Sequence, residues 1–130
     1  MARHTETTEG RSVRLLRVGE QVRHALSDIL MRGDVHDETL ASHLVSITEV
    51  RMSPDLRHAT AFVLPLGGVN TSEVVRALGR NRAELRRLVT DRIDLRHSPE
   101  LGFQADTRFD AMDRTRELLR SPPVRRDLED

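Results

Sequence analysis

Ile47-Thr48-Glu49-Val50-Arg51-Met52-Ser53-Pro54-Asp55-Leu56-Arg57-His58-Ala59 is the stretch on which the fold turns. With Leu44-Val45-Ser46 before it, the run to Met52 is rich in β-branched residues, which suit a pleated, half-buried surface and predict a strand. Val45 and Ile47 share one parity and Val50 and Met52 the other. A single buried face therefore requires one extra residue, a bulge, at Thr48 or Glu49. Ser53-Pro54-Asp55-Leu56 has Pro at the second position of a turn, so Arg57 to Leu66 returns as the second strand of a hairpin, with Pro65 at its frayed edge.

Upstream, Leu15, Val18, Val22, Ala25, Leu26, Ile29 and Leu30 recur at spacings of three and four, the stripe of a long amphipathic helix that ends near Gly33. Asp34-Val35-His36-Asp37-Glu38 is acidic and aperiodic and joins this helix to the hairpin. Downstream, Gly67-Gly68-Val69 is a loop, and Asn70-Thr71-Ser72-Glu73 has the spacing of a capping box opening a second helix. Its apolar face is Val74, Val75, Leu78, Leu85, Leu88 and Val89. The gap between Leu78 and Leu85, with Gly79 and Asn81 inside it, predicts a kink or two short helices. Leu101, Phe103 and Ala105 then share one side of a third strand. Asp106 or Thr107 caps a last helix carrying Phe109, Met112, Leu118 and Leu119, which Ser121-Pro122-Pro123 stops.

These elements predict an α+β domain with helices on one face of a small sheet. At 130 residues the chain has room for one core, and 37% hydrophobic residues supply it. The absence of Cys excludes disulfides, thiolate zinc sites and a Cys nucleophile. Three Phe with no Trp or Tyr serve an aromatic cage or a row of stacked bases badly. A polar start, and an apolar run at Ala61 to Val69 broken by Pro65 and Gly67, predict neither signal peptide nor spanning helix, hence a soluble, cytoplasmic protein.

Net charge is zero but unevenly spread. Residues 33–75 carry two Arg against six acids, whereas residues 76–96 carry seven Arg against three. Every cation is Arg, a planar fork suited to phosphate, although biased codon usage gives the same composition. On a helix Arg76, Arg80 and Arg87 fall near one line, with Arg86 and Arg82 alongside, opposite the apolar stripe. Such a cluster is the electrostatic footprint of nucleic-acid binding, and the scarcity of rings points to backbone and shape over base stacking.

Other chemistry finds little support. The His residues, at 4, 24, 36, 43, 58 and 97, contain no pair at the spacing of a helical metal site. Asp34, His36, Asp37 and Glu38 suit a hard cation or a solvated loop equally well. Ser53, Asp55 and His58 are hydrolase-triad types but crowd one turn, where capping is their expected role. No phosphate-cradling glycine motif is present. We expect no catalysis, no metal and no cofactor.

The order of motifs, Arg14-Leu15-Leu16-Arg17-Val18, the Ile47 to Ala59 stretch, Leu85-Arg86 and Pro99-Glu100-Leu101-Gly102-Phe103-Gln104-Ala105-Asp106, resembles the bacterial ribosome-binding factor A family over about residues 12 to 120. The resemblance implies a type II K-homology-like domain, with the order α-β-β-α(kink)α-β-α and an interrupted helix pair in place of the usual glycine loop. It implies a non-catalytic protein of late small-subunit maturation and cold adaptation, which binds the immature small ribosomal subunit and its ribosomal RNA and then departs. Where that family often has Ala-x-Gly at the break, this chain has Asn81-Arg82-Ala83.

The expected organisation is a flexible segment at 1–11, an RNA-binding domain at 12–120 and a flexible tail at 121–130, acting as a monomer. Expected RNA contacts are Arg76, Arg80, Asn81, Arg82, Arg86, Arg87, Arg92 and Arg96, with secondary contacts at Arg14, Arg17 and Arg23. The alternative is a protein-interaction adaptor that docks a partner through the first helix or the acidic 33–75 region.

Overall fold

The computed structural model describes residues 8–108. Helix α1 (Thr8–Arg32) leads to a single-turn helix α2 (Glu38–Ala41) and the strands β1 (Val45–Met52) and β2 (His58–Pro65). A 3-10 turn at Leu66–Gly68 precedes α3 (Thr71–Arg80) and α4 (Arg82–Arg92), and β3 (Glu100–Ala105) follows. The sheet order is β1-β2-β3, with β1 and β2 antiparallel and β2 and β3 parallel. A parallel third strand requires a crossover, and α3 with α4 supplies it. This is the α+β, K-homology-like arrangement expected. The predicted last helix and the C-terminal tail lie outside the described residues, and α1 is already helical at Thr8, within the segment read as an N-terminal extension.

The bulge falls where parity demanded it. Ile47 pairs with Val63 and Glu49 with Phe62, leaving Thr48 unpaired. Ile47, Val50 and Met52 consequently share the buried face with Ala59, Ala61 and Val63 of β2 and Leu101 of β3. Onto that face pack Val18, Val22, Ala25, Leu26 and Ile29 of α1, Val74 and Leu78 of α3, and Leu85 and Val89 of α4. Fully burying each Leu, Ile or Val contributes about 1.5–3 kcal/mol, so this one layer holds the domain together. Helix α1 lies so close to β1 at Gly19 that a Cβ there would stand 2.5 Å from the Val50 carbonyl oxygen.

Several local expectations need correction. The segment before β1 is not wholly aperiodic, because Asp37 caps α2 by accepting from the Thr39 and Leu40 N–H groups. The capping box at Asn70 does not form: Asn70 has φ 59 and makes no side-chain cap. Its amide instead meets His43 Nε2 at 3.1 Å, so a tertiary contact has displaced the local one. Pro65 does end β2, but it is fully buried and not frayed.

Candidate nucleic-acid interface

The helix break lies at Asn81, which has φ −103 and ψ 14 and so interrupts the helix without entering left-handed geometry. Its backbone N–H is shared between the Ala77 and Leu78 carbonyls, and its Nδ2 donates to the Ala77 oxygen at 2.7 Å. A short polar side chain that returns to the preceding turn competes with helix continuation. The same Nδ2 donates to Asp37 Oδ2 at 2.8 Å, and Arg80 adds Nε to Oδ2 at 3.0 Å and Nη2 to Oδ1 at 3.1 Å. Arg80 Nη2 also reaches Thr39 Oγ1 at 3.2 Å. The Arg80 and Asn81 donors hold the Asp37 carboxyl well below its ordinary value, at about 2. One carboxylate thus ties α2 to the junction of α3 and α4.

The expected RNA-binding residues divide into two groups. Arg76, Arg82 and Arg96 are exposed and have no partner among the described residues. Arg87 is exposed and, among the described residues, makes long pairs within its own helix, to Glu84 at 3.8 Å and Asp91 at 3.5 Å. The others bind the scaffold. Arg80 and Asn81 hold Asp37, Arg86 donates to the Ser98 carbonyl at 2.7 Å and pairs with Glu100 at 3.2 Å, and Arg92 joins α4 to α1 through Asp28 at 2.6 Å and to the segment after α1 through Asp34 at 3.3 Å. On α1, Arg14 and Arg17 are exposed, and Arg23 is paired with Glu20 at 2.9 Å.

Those pairs also alter the acidic 33–75 region. Asp34 and Asp37 face Arg92 and Arg80, and Glu49 meets Arg51 at 2.9 Å and Arg108 at 3.0 Å. Asp55 accepts from Ser53 Oγ and the Arg57 N–H, which holds its carboxyl below the ordinary range. Ser53 Oγ in turn accepts from the His58 backbone N–H, so these three residues build the hairpin turn. Glu38 and Glu73 remain exposed without partners among the described residues. Beside this region a groove of about 640 Å³ runs between the end of α1, α2 and the start of β1. Met31 and Leu44 on its lining are 81% and 69% exposed.

Three residues outside the expected set bear on the surface. Asp37 looked like one acid of a loop, and no local pattern announces a partner 43 residues away. Arg57 is exposed at the turn end of β2, where its backbone N–H donates to Asp55 and its charge helps to hold that carboxyl ionised. Arg51 lies 5.1 Å from the Phe62 ring centre on the sheet face away from the helices. Strand alternation places Arg51, Phe62 and Gln104 on that face, a signal already present in the sequence. Among the described residues no cluster of three His, Asp or Glu is arranged to hold a cation, and no helix is long and apolar enough to cross a membrane.

Comparison with known proteins gives a consistent result. The profile of the family described as ribosome-binding factor A matches residues 14–119. The chain is 60% identical over 127 residues to a ribosome-binding factor A of Rhizorhabdus wittichii, covering 98% of this chain and 96% of that one. It is 50% identical to that of Afipia carboxidovorans, covering 98% and 94%. Among solved structures, the crystal structure of ribosome-binding factor A from Thermus thermophilus aligns with a TM-score of 0.59 at 21% identity, over 70% of this chain and 94% of that one. The Thermus thermophilus coordinates fitted into a cryo-EM map of a 30S complex align with a TM-score of 0.58 at 20% identity, over 71% and 94%. At such identities these two show a shared fold.

Proposed function

Because the chain belongs to the ribosome-binding factor A family, we propose that it is a non-catalytic assembly factor that binds the immature small ribosomal subunit and its ribosomal RNA and assists late rRNA maturation. A relative of the same fold has been fitted into a map of a 30S complex, which supports the small subunit as partner. The observation that carries the RNA reading is the pair Arg76 and Arg82. They stand exposed on either side of the Asn81 break, and no described residue neutralises them. With Arg87 and Arg96 they offer guanidiniums to the phosphate backbone, while Arg80, Arg86 and Arg92 keep the helices in place. The protein acts as a cytoplasmic monomer in this reading.

The test is cosedimentation with immature and mature small subunits over a range of salt. Preferential recovery with the immature subunit, falling steeply as salt rises, is the expected result. Recovery that is indifferent to salt and survives ribonuclease treatment would favour the adaptor reading instead, with the groove at Met31 and Leu44 as the docking surface.

A further inference from the structure

We propose that Asp37 is a built-in competitor of RNA phosphate, whose carboxylate holds Arg80 and withholds that cation from the RNA surface beside the helix break. This rests on the RNA-binding reading above. Five donors converge on Asp37: the Thr39 and Leu40 N–H groups, two nitrogens of Arg80 and the Asn81 amide. A guanidinium fork, an amide and a pair of backbone N–H groups is also a donor set that cradles phosphate oxygens. Here the chain fills it with its own carboxylate.

Accessibility sharpens the point. The Asp37 side chain is 9% exposed while that of Arg80 is 55% exposed. RNA can therefore approach the guanidinium, but its Nε and Nη2 edge already faces Asp37, and Nη2 also donates to Thr39 Oγ1. Arg76 and Arg82, on either side, have no such competitor among the described residues. The carboxyl is ionised at neutral pH, and the Arg80 and Asn81 donors hold it below its ordinary value. The α3–α4 surface consequently binds RNA less tightly than its count of arginines implies.

The experiment measures binding of a single-stranded RNA oligonucleotide to the full chain at several salt concentrations, for the parent, Asp37→Asn, Arg80→Gln and the double variant. Asp37→Asn keeps an acceptor for the α2 N–H groups and removes the charge. It should tighten binding at low salt by roughly three- to tenfold and steepen the log–log salt slope by about 0.7, the signature of one recovered phosphate contact. In the Arg80→Gln background the same substitution should give no tightening. A folded Asp37→Asn protein that binds no better than the parent, or one that tightens equally without Arg80, overturns the proposal. Should Asp37→Asn fail to fold, NMR of the arginine Nε–H groups in the parent decides. RNA should shift Arg76 and Arg82 and leave Arg80 in place, and a shift of Arg80 as large as theirs refutes the competition. A parent that binds no RNA sinks the functional reading as well, whereas salt-dependent binding by the parent without the Asp37 effect sinks this inference alone.

Discussion

Asn81 Nδ2 donates to Asp37 Oδ2 at 2.8 Å across 44 positions of sequence, and to the Ala77 oxygen four residues back at 2.7 Å. The first bond sets where the crossover meets α2, and the second ends α3. Placing both on one nitrogen makes the position of the break a joint property of a local turn and a distant carboxylate.

Replacing Asn81 with Leu removes both bonds, each contributing about 1 kcal/mol, and recovers only a few tenths through helix propensity. The expected net loss is about 1–2 kcal/mol in urea denaturation. Residual dipolar couplings should report a smaller angle between α3 and α4. An unchanged angle would remove the side chain as the cause of the break.

Asp37 also predicts an acid response. Its folded pKa, about 2, lies below the ordinary 3.8, so its stabilisation is complete above about pH 4 and disappears as pH falls through 2. Asp37→Ala should cost about 1–2 kcal/mol at pH 7, from the lost cap of α2 and the lost tertiary bonds. Thermal melts of parent and variant should then converge between pH 4 and pH 2. A stability gap that stays constant through that window would contradict the ion pair.

Two glycines should respond in opposite directions to Ala. At Gly19 the new Cβ meets the Val50 carbonyl oxygen at 2.5 Å, so α1 must lift from β1 at a cost of about 1–3 kcal/mol. Around Gly79 nothing lies within 4 Å, and Gly79→Ala should stabilise α3 by about 0.5–1 kcal/mol. Chemical denaturation of the two variants checks both signs.

Thr48 gives the bulge a second purpose. Its Oγ1 donates to Asp106 Oδ2 at 2.6 Å, and Asp106 is only 2% exposed. Arg108 first, then Thr48, holds that carboxyl well below the ordinary range. Thr48→Val keeps the shape and removes the donor, and should lower stability at pH 7 by about 1–2 kcal/mol. The loss should shrink in acid, once Asp106 is protonated and its folded-state advantage is gone. Melts at neutral and acid pH measure it.

Arg76→Gln with Arg82→Gln should flatten the salt slope of RNA binding by about 1.4, at roughly 0.7 per phosphate contact on a single strand, without shifting the melt. Arg86→Gln should do the reverse. It loses the bonds to Ser98 and Glu100 that pin the start of β3, so the melt should fall more than the slope changes. Salt titrations paired with thermal melts separate the two effects.

Short-range physics is legible in the order of residues alone. Side-chain periods of two and of 3.6 residues gave the strands, the stripe of α1, and the bulge at Thr48, where Ile47 and Val50 could share a face only through an extra residue. Gly79 and Asn81 marked the break for the same reason: helix propensity is local. Which arginines are available depends instead on the folded packing. Arg80, Arg86 and Arg92 look like Arg76 and Arg82 along the chain, but their partners Asp37, Glu100, Asp28 and Asp34 come from other elements. The same holds at Asn70, where His43 from before β1 took the side chain that a capping box needed. A hydrogen bond or ion pair falls off within a few ångströms, so its partner is set by which surfaces the core brings together, and no spacing in the sequence encodes that distance.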